Sequence, residues 1–137
     1  MIDMIIKGRP VCKGLVEGEA LVSKTPISFY GGVEPKTGIV MEKGHELFGE
    51  LVKDKILFFP YGKGSTVGSY ILYQMSKNRV APKAIVNIET EPIIVAGCIL
   101  AGIPLIDGVS ESDMGKVKTG DKVRVDADNG LIEIINF

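Results

Sequence analysis

The chain has no tryptophan, one histidine and two cysteines in 137 residues, and each scarcity narrows the chemistry open to it. Cys12 and Cys98 lie far apart with no Cys-x-x-Cys neighbour, which argues against a disulfide framework and against a zinc or iron–sulfur site built by this chain alone. Cys98 falls in the apolar run from Ile93 to Leu100, where a buried small hydrophobe is the favoured reading. Sixteen basic residues balance 17 acidic ones without any basic run, which argues against nucleic acid or an anionic membrane as the main partner. The longest apolar run, Pro92 to Pro104, is too short and glycine-broken to span a bilayer. Met1 to Pro10 carries Asp3, Lys7 and Arg9, so no secretory leader is expected and the cytoplasm is the expected location.

What the chain does have is apolar content of 45%, enough for one core, and a single domain over residues 1–137 is expected. Seventeen glycines and seven prolines cut it into short pieces. Ile2 to Lys7 and Glu19 to Ser23 read as strands joined through the turn-rich Gly8 to Gly18. Ile27 to Gly49 is a long irregular segment in which Ile39 to Met41 alone looks extended, and connections of that length are more often functional than idle. Ile56 to Phe59 is a strand, Ser65 to about Asn78 a helix, Ala84 to Ile88 a strand, Pro92 to Ala101 a short helix, and Ile103 to Ile106 a strand. Lys122 to Val125 and Leu131 to Ile135 form a hairpin about Asp128-Asn129-Gly130. Strands with two helices predict an α/β sandwich, β-layers with helices on one side.

The most informative stretch runs from Ile56 to Tyr70. A strand, a glycine-rich turn and a helix start place the Ser65 hydroxyl where free backbone N–H groups converge, and the helix dipole there favours negative charge. An N-cap would need no more than Ser65 itself. Lys63, the flanking glycines and the hydroxyls of Thr66 and Ser69 crowd the loop beyond that need. His45 reads as a solvated loop residue, with a phosphorylated or catalytic histidine as the alternative. Of Glu89 and Glu91, one is expected in solvent and one at the start of the short helix. Asp107, Glu111 and Asp113 match no defensible metal-ligand spacing, and no metal site is expected. Phe29-Tyr30-Gly31-Gly32 could line a pocket or form a turn.

The order Lys7-Gly-Arg-Pro10, Gly14-x-x-x-Gly-Glu-Ala20, Pro26-Ile-Ser-Phe-Tyr-Gly-Gly32, Pro35-x-Thr-Gly38, His45-x-Leu-x-Gly49, Phe59-Pro-x-Gly-Lys-Gly-Ser65 and Gly68-Ser69 resembles the small subunit of the aconitase X family over almost the whole chain. The resemblance implies the swivelling β/β/α domain, like the mobile fourth domain of aconitases. It also implies a hydro-lyase whose large partner subunit carries an iron–sulfur cluster, this chain binding no cofactor itself. A small anionic hydroxy acid would lie between the subunits, mevalonate 5-phosphate becoming trans-anhydromevalonate 5-phosphate, or a hydroxyproline in related enzymes. Ser65 matches the family's serine base, with Lys63, Gly64 and Thr66 helping to hold the substrate's anionic groups. Aconitases proper read Gly-x-Gly-Ser-Ser-Arg in this loop, and Val67 stands in the arginine's place. Most aconitase X chains have arginine where this one has Lys63, which supplies charge without a bidentate fork. A swivelling carrier domain remains an alternative, since Gly120 to Asp126 resembles the closing hairpin of phosphohistidine domains, although the Thr-Gly-Gly that precedes their histidine is missing.

Overall fold

The computed structural model describes residues 2–135; Met1, Asn136 and Phe137, the ends of the expected domain, lie outside the described residues. Its strands are β1 (Ile2–Lys7), β2 (Arg9–Cys12), β3 (Leu15–Val22), β4 (Lys55–Phe58), β5 (Ala84–Val86), β6 (Leu105–Asp107), β7 (Lys122–Asp126) and β8 (Leu131–Ile135). Its helices are α1 (Gly68–Lys77), α2 (Pro92–Ala101) and α3 (Glu111–Met114). The strand order is β1-β8-β7-β3-β4-β5-β6-β2, so β1 and β2, separated in sequence by Gly8 alone, stand at opposite ends of it. The sheet therefore curls until its two edges are successive parts of one bent strand. Gly8 permits the bend: a Cβ there would lie 2.5 Å from the Ile106 Cγ2 and 2.6 Å from the Asp107 carbonyl oxygen.

β3 joins two layers. Its first half, Leu15 to Glu19, pairs antiparallel with β7, and its second half, Glu19 to Val22, pairs parallel with β4. β4, β5 and β6 continue as parallel neighbours, with α1 and α2 as the crossovers between them. The parallel layer is covered on both faces, so Ile56 to Phe58 of β4 and Ala84 to Val86 of β5 are apolar at successive rather than alternate positions. Ile56 and Phe58 of β4 pack with Val123, Val125, Ile132 and Ile134 of the hairpin. Leu57 and Phe59 face the other way, toward Leu72 and Met75 of α1 and Ile94 and Cys98 of α2. Each fully buried side chain of this size contributes about 1.5–3 kcal/mol relative to exposure, so two cores clamp one three-residue-wide layer. This is the β/β/α sandwich that the resemblance implies.

The segment between β3 and β4 forms no regular strand, only the isolated bridges Val33↔Val40, Ile39↔Leu51 and, to the turn after β4, Ile27↔Gly62. It is anchored by Ile27, Phe29, Val33, Val40, Leu47 and Val52, all buried in the core on the helical side. Phe29 meets Phe59 edge-on, with centroids 6.1 Å apart, a geometry favoured by the ring quadrupoles. The long loop is therefore folded over the helical side, where it reaches the turn after β4.

Candidate functional site

β4 delivers the chain to Phe59, and Pro60 turns it outward. The Pro60 carbonyl accepts from the amides of Ile88 (3.0 Å) and Glu89 (3.2 Å), and the Lys63 amide donates to Ile27 (3.0 Å). Between these anchors Gly62 lies so tightly against the start of α2 that a Cβ would stand 2.5 Å from the Ile94 Cγ1 and 2.7 Å from the Glu91 Oε1. Gly64 takes φ +93°, and a Cβ there would run into the Ser28 hydroxyl. The loop is fixed by close backbone approach on both sides.

α1 begins at Gly68, three residues later than the sequence predicts. Ser65 accounts for the difference. Its carbonyl accepts from the Gly68 amide (2.9 Å) and its Oγ accepts from the Val67 amide (3.2 Å), a turn tighter than an α-helix. Ser65 is thus an exposed hydroxyl one turn ahead of the helix rather than its cap. Among the described residues the amides of Gly64, Ser65 and Thr66 donate to no protein acceptor. Three amides without a protein acceptor therefore lie in the loop that carries the Ser65 hydroxyl, just ahead of the positive end of a ten-residue helix. The Ser69 hydroxyl, expected to add to this cluster, is buried and donates to the Thr66 carbonyl (3.0 Å) instead.

Lys63 differs from expectation in another way. Its Nζ pairs with the Glu42 Oε2 at 3.2 Å, so the cation of the loop is held by a carboxylate from the 27–54 segment. An anion approaching Lys63 competes with Glu42 for the ammonium. Glu42 and Ser28 are the two participants that sequence reasoning missed, and no local motif marks either one. Val67, in the position where aconitases carry arginine, is 41% exposed and adds an apolar edge.

The other candidates scatter. His45 is buried, not solvated: Nε2 donates to the Pro26 carbonyl (3.0 Å) and Nδ1 accepts from the Leu47 amide (3.0 Å). Acceptor and donor fix the tautomer and leave neither nitrogen free to carry a phosphoryl group. Glu91 caps α2 through the amides of Ile93 and Ile94, and Glu89 faces solvent. Asp107 is buried and holds Arg9 bidentately at 2.7 and 2.8 Å, while Glu111 and Asp113 stand in the first turn of α3. Among the described residues no three of these groups could hold a metal. Burial pushes the Cys98 thiol well up, and Cys12 is partly buried on β2, so both behave as packing groups. Phe29 belongs to the core, Tyr30 is exposed, and Gly31-Gly32 form a turn. A cavity of 330 Å³ opens between Val22, Pro60, Ile88, Met114 and Val117, and neither Lys63 nor Ser65 lines it.

Glu46, unremarked in the sequence, ties the long segment to the end of β3. Burial works against its charge. Hydrogen bonds from the Lys24 and Thr25 amides and the Ser23 and Thr25 hydroxyls outweigh that cost and hold the carboxyl below its usual range. A depressed folded value stabilises the fold above the ordinary carboxyl range near pH ~4.3, and the contribution is lost as pH falls through the folded value. Thermal melts from about pH 7 down to about pH 3 should therefore separate wild type from Glu46→Gln at neutral pH, the gap closing on acidification. A gap that stays constant with pH would remove the charge from this account.

Comparisons with known proteins bear on the family of the chain. A family profile described as the aconitase X swivel domain matches residues 5–134. The phosphomevalonate dehydratase small subunit of Methanosarcina acetivorans is 52% identical over 135 residues, covering 98% of this chain and 94% of that protein. The protein of the same name from Pyrococcus abyssi is 52% identical over 132 residues, covering 96% and 99%. The crystal structure of Thermococcus kodakaraensis aconitase X in its holo-form superposes with a TM-score of 0.93 at 51% identity, covering 97% of this chain and 99% of that one.

Proposed function

The chain belongs to the aconitase X swivel-domain family, and on that premise we propose that it is the small subunit of a heterodimeric hydro-lyase that dehydrates mevalonate 5-phosphate to trans-anhydromevalonate 5-phosphate. The observation that carries the reading is the exposed Ser65 oxygen, already accepting the Val67 N–H, beside three unpaired amides at the mouth of α1. Removing a carbon-bound proton demands a strong base, and a serine hydroxyl ionises far above neutral pH. Hydrogen bonds to the charged form and an aligned helix dipole favour the alkoxide. Ser65 takes the proton. The amides of Gly64 and Thr66 face the carboxylate or phosphate, and Lys63 exchanges Glu42 for that anion.

The departing hydroxide needs an electrophile. The donor set of this chain does not fit an iron–sulfur cluster, because Cys12 and Cys98 are packing thiols with no third ligand beside them among the described residues. We assign the cluster and the rest of the pocket to the large subunit that the relatives' names imply. Ser65 on a surface loop, outside the 330 Å³ cavity, supports half a site rather than a whole one. The test is dehydration of mevalonate 5-phosphate without oxygen, by this chain, by the large subunit and by the two together. Turnover is expected from the pair and from neither half. An assembled, cluster-loaded pair that leaves mevalonate 5-phosphate untouched but turns over a hydroxyproline would overturn the substrate.

A further inference from the structure

α2 reads Pro-Ile-Ile-Val-Ala-Gly-Cys-Ile-Leu-Ala over residues 92–101, without one charged, hydroxyl or amide side chain. A helix apolar on every side belongs in an interior, yet only part of this one is covered. Ile94, Gly97 and Cys98 turn inward, while Ile99 is 67% and Leu100 49% exposed. Pro92 and Ala96 are exposed as well. At 3.6 residues per turn these four occupy a single outer face. α1 lies alongside: a Cβ on Gly97 would touch Leu72, and the Ser76 hydroxyl donates to the Ala101 carbonyl (3.1 Å). Tyr73, one position outward on α1, flanks the same groove, and Tyr70, 63% exposed, and Val67 extend the surface to the Ser65 loop.

We infer that this face, centred on Ile99 and Leu100, is where the large subunit docks. The inference rests on the subunit reading above and adds to it the surface that carries the association. With roughly 200 Å² for a large side chain, the exposed parts of Val67, Tyr70, Tyr73, Ile99 and Leu100 amount to on the order of 500 Å². That is a major share of the ~800 Å² one partner commonly contributes to a stable interface, and it falls in the roughly 300–600 Å² range of a monomer's largest apolar patch, which is often a functional surface. The helix that carries this face also abuts the candidate site at its N-terminal end. Ile93 lies 3.4 Å from where a Cβ of Gly68 would stand, and Glu91 and Ile94 lie against Gly62. A partner that completes the site over Ser65 therefore abuts α2. A second copy of this chain seated there would stand where that partner has to sit.

The association of separately purified subunits, measured without substrate, tests the surface independently of turnover, so failure of the substrate assignment and failure of the docking face are told apart. Ile99→Glu and Leu100→Glu should each weaken association at least a hundredfold while the isolated small subunit keeps its melting temperature. Ile5→Glu and Leu15→Glu, equally exposed on the antiparallel layer, should bind as wild type does. Because a glutamate variant could unfold α2, hydrogen exchange on the wild-type chain supplies a second readout. Amides of residues 92–101 should slow when the large subunit is added. Wild-type affinity in both α2 variants, unchanged exchange in α2, or a wild-type homodimer that Ile99→Glu dissolves would each overturn the proposal.

Discussion

Replacing Ser65 with alanine is expected to lower the turnover of the assembled enzyme by about a thousandfold, within the range typical of a positioned general base. Fold and assembly should survive the change. The Ser65 side chain is exposed and its Oγ makes one hydrogen bond, from the Val67 amide at 3.2 Å, so its loss costs about 1 kcal/mol or less. The free amides, the helix dipole and the Lys63–Glu42 pair all remain, so substrate should still bind. The loss should therefore appear in kcat far more than in KM, as when an interaction made only in the transition state is removed. Thr66→Ala offers the contrast. The Thr66 backbone carbonyl, not its hydroxyl, receives Ser69, and its side chain is exposed, so its removal should leave kcat within a few-fold. Steady-state kinetics on both variants, with assembly checked by sedimentation, make the comparison. An assembled Ser65→Ala enzyme with near-wild-type kcat would take the base away from this residue.

Much of the fold is legible because its signals are local. The hairpin of β7 and β8 announces itself by alternation around Asp128-Asn129-Gly130, and α2 by a proline at its start and Gly102 at its end in the left-handed region, φ +71°. β2 is not legible. Arg9 to Cys12 carries Pro10 and sits among glycines and turn residues, and it becomes a strand only because the sheet curls back to bring β6 alongside. Pro10 is tolerated there as it is at sheet edges. α3 escapes for a related reason: four residues are too few for a helical period to show, and Ser110 supplies its cap.

The site divides the same way. Ser65, Gly64 and the turn into α1 follow from neighbouring residues, so the glycine-rich loop can be read directly. Glu42, which takes up Lys63, and Ser28, which presses on Gly64, come from a segment whose path depends on burying Phe29, Val33 and Val40. His45 is misread for that reason too. In sequence it lies in a polar run, Lys43-Gly44-His45-Glu46, whereas the fold of the segment sinks it against Pro26 and spends both of its nitrogens. Tertiary packing decides these roles, and one chain's sequence does not display it.

The Gly64 contact with Ser28 sets up the second large effect. Gly64→Ala is expected to cost about 2 kcal/mol of stability, the scale of backbone strain at a disfavoured φ, and to reduce turnover by about a hundredfold with Ser65 still in place. Two demands meet at this position. A φ of +93° strains any side-chain-bearing residue, and the added Cβ runs into Ser28. Ser28 cannot step aside freely, since its hydroxyl donates to the Tyr30 carbonyl at 2.9 Å. Nor can the preceding loop slide, because the Lys63 amide is bonded to Ile27 at 3.0 Å. Relief must come on the other side of Gly64, which is Ser65. Gly31→Ala separates strain from displacement: it imposes a similar φ of +81° where a Cβ meets nothing within 4 Å, so it should lower stability and spare kcat. Gly64→Ala combined with Ser28→Gly removes the collision but not the strain. If loop position is what the glycine protects, the double variant should recover much of the lost turnover while remaining less stable than wild type. Equal kcat in the single and double variants would mean that backbone strain at Gly64, and not contact with Ser28, governs where Ser65 sits.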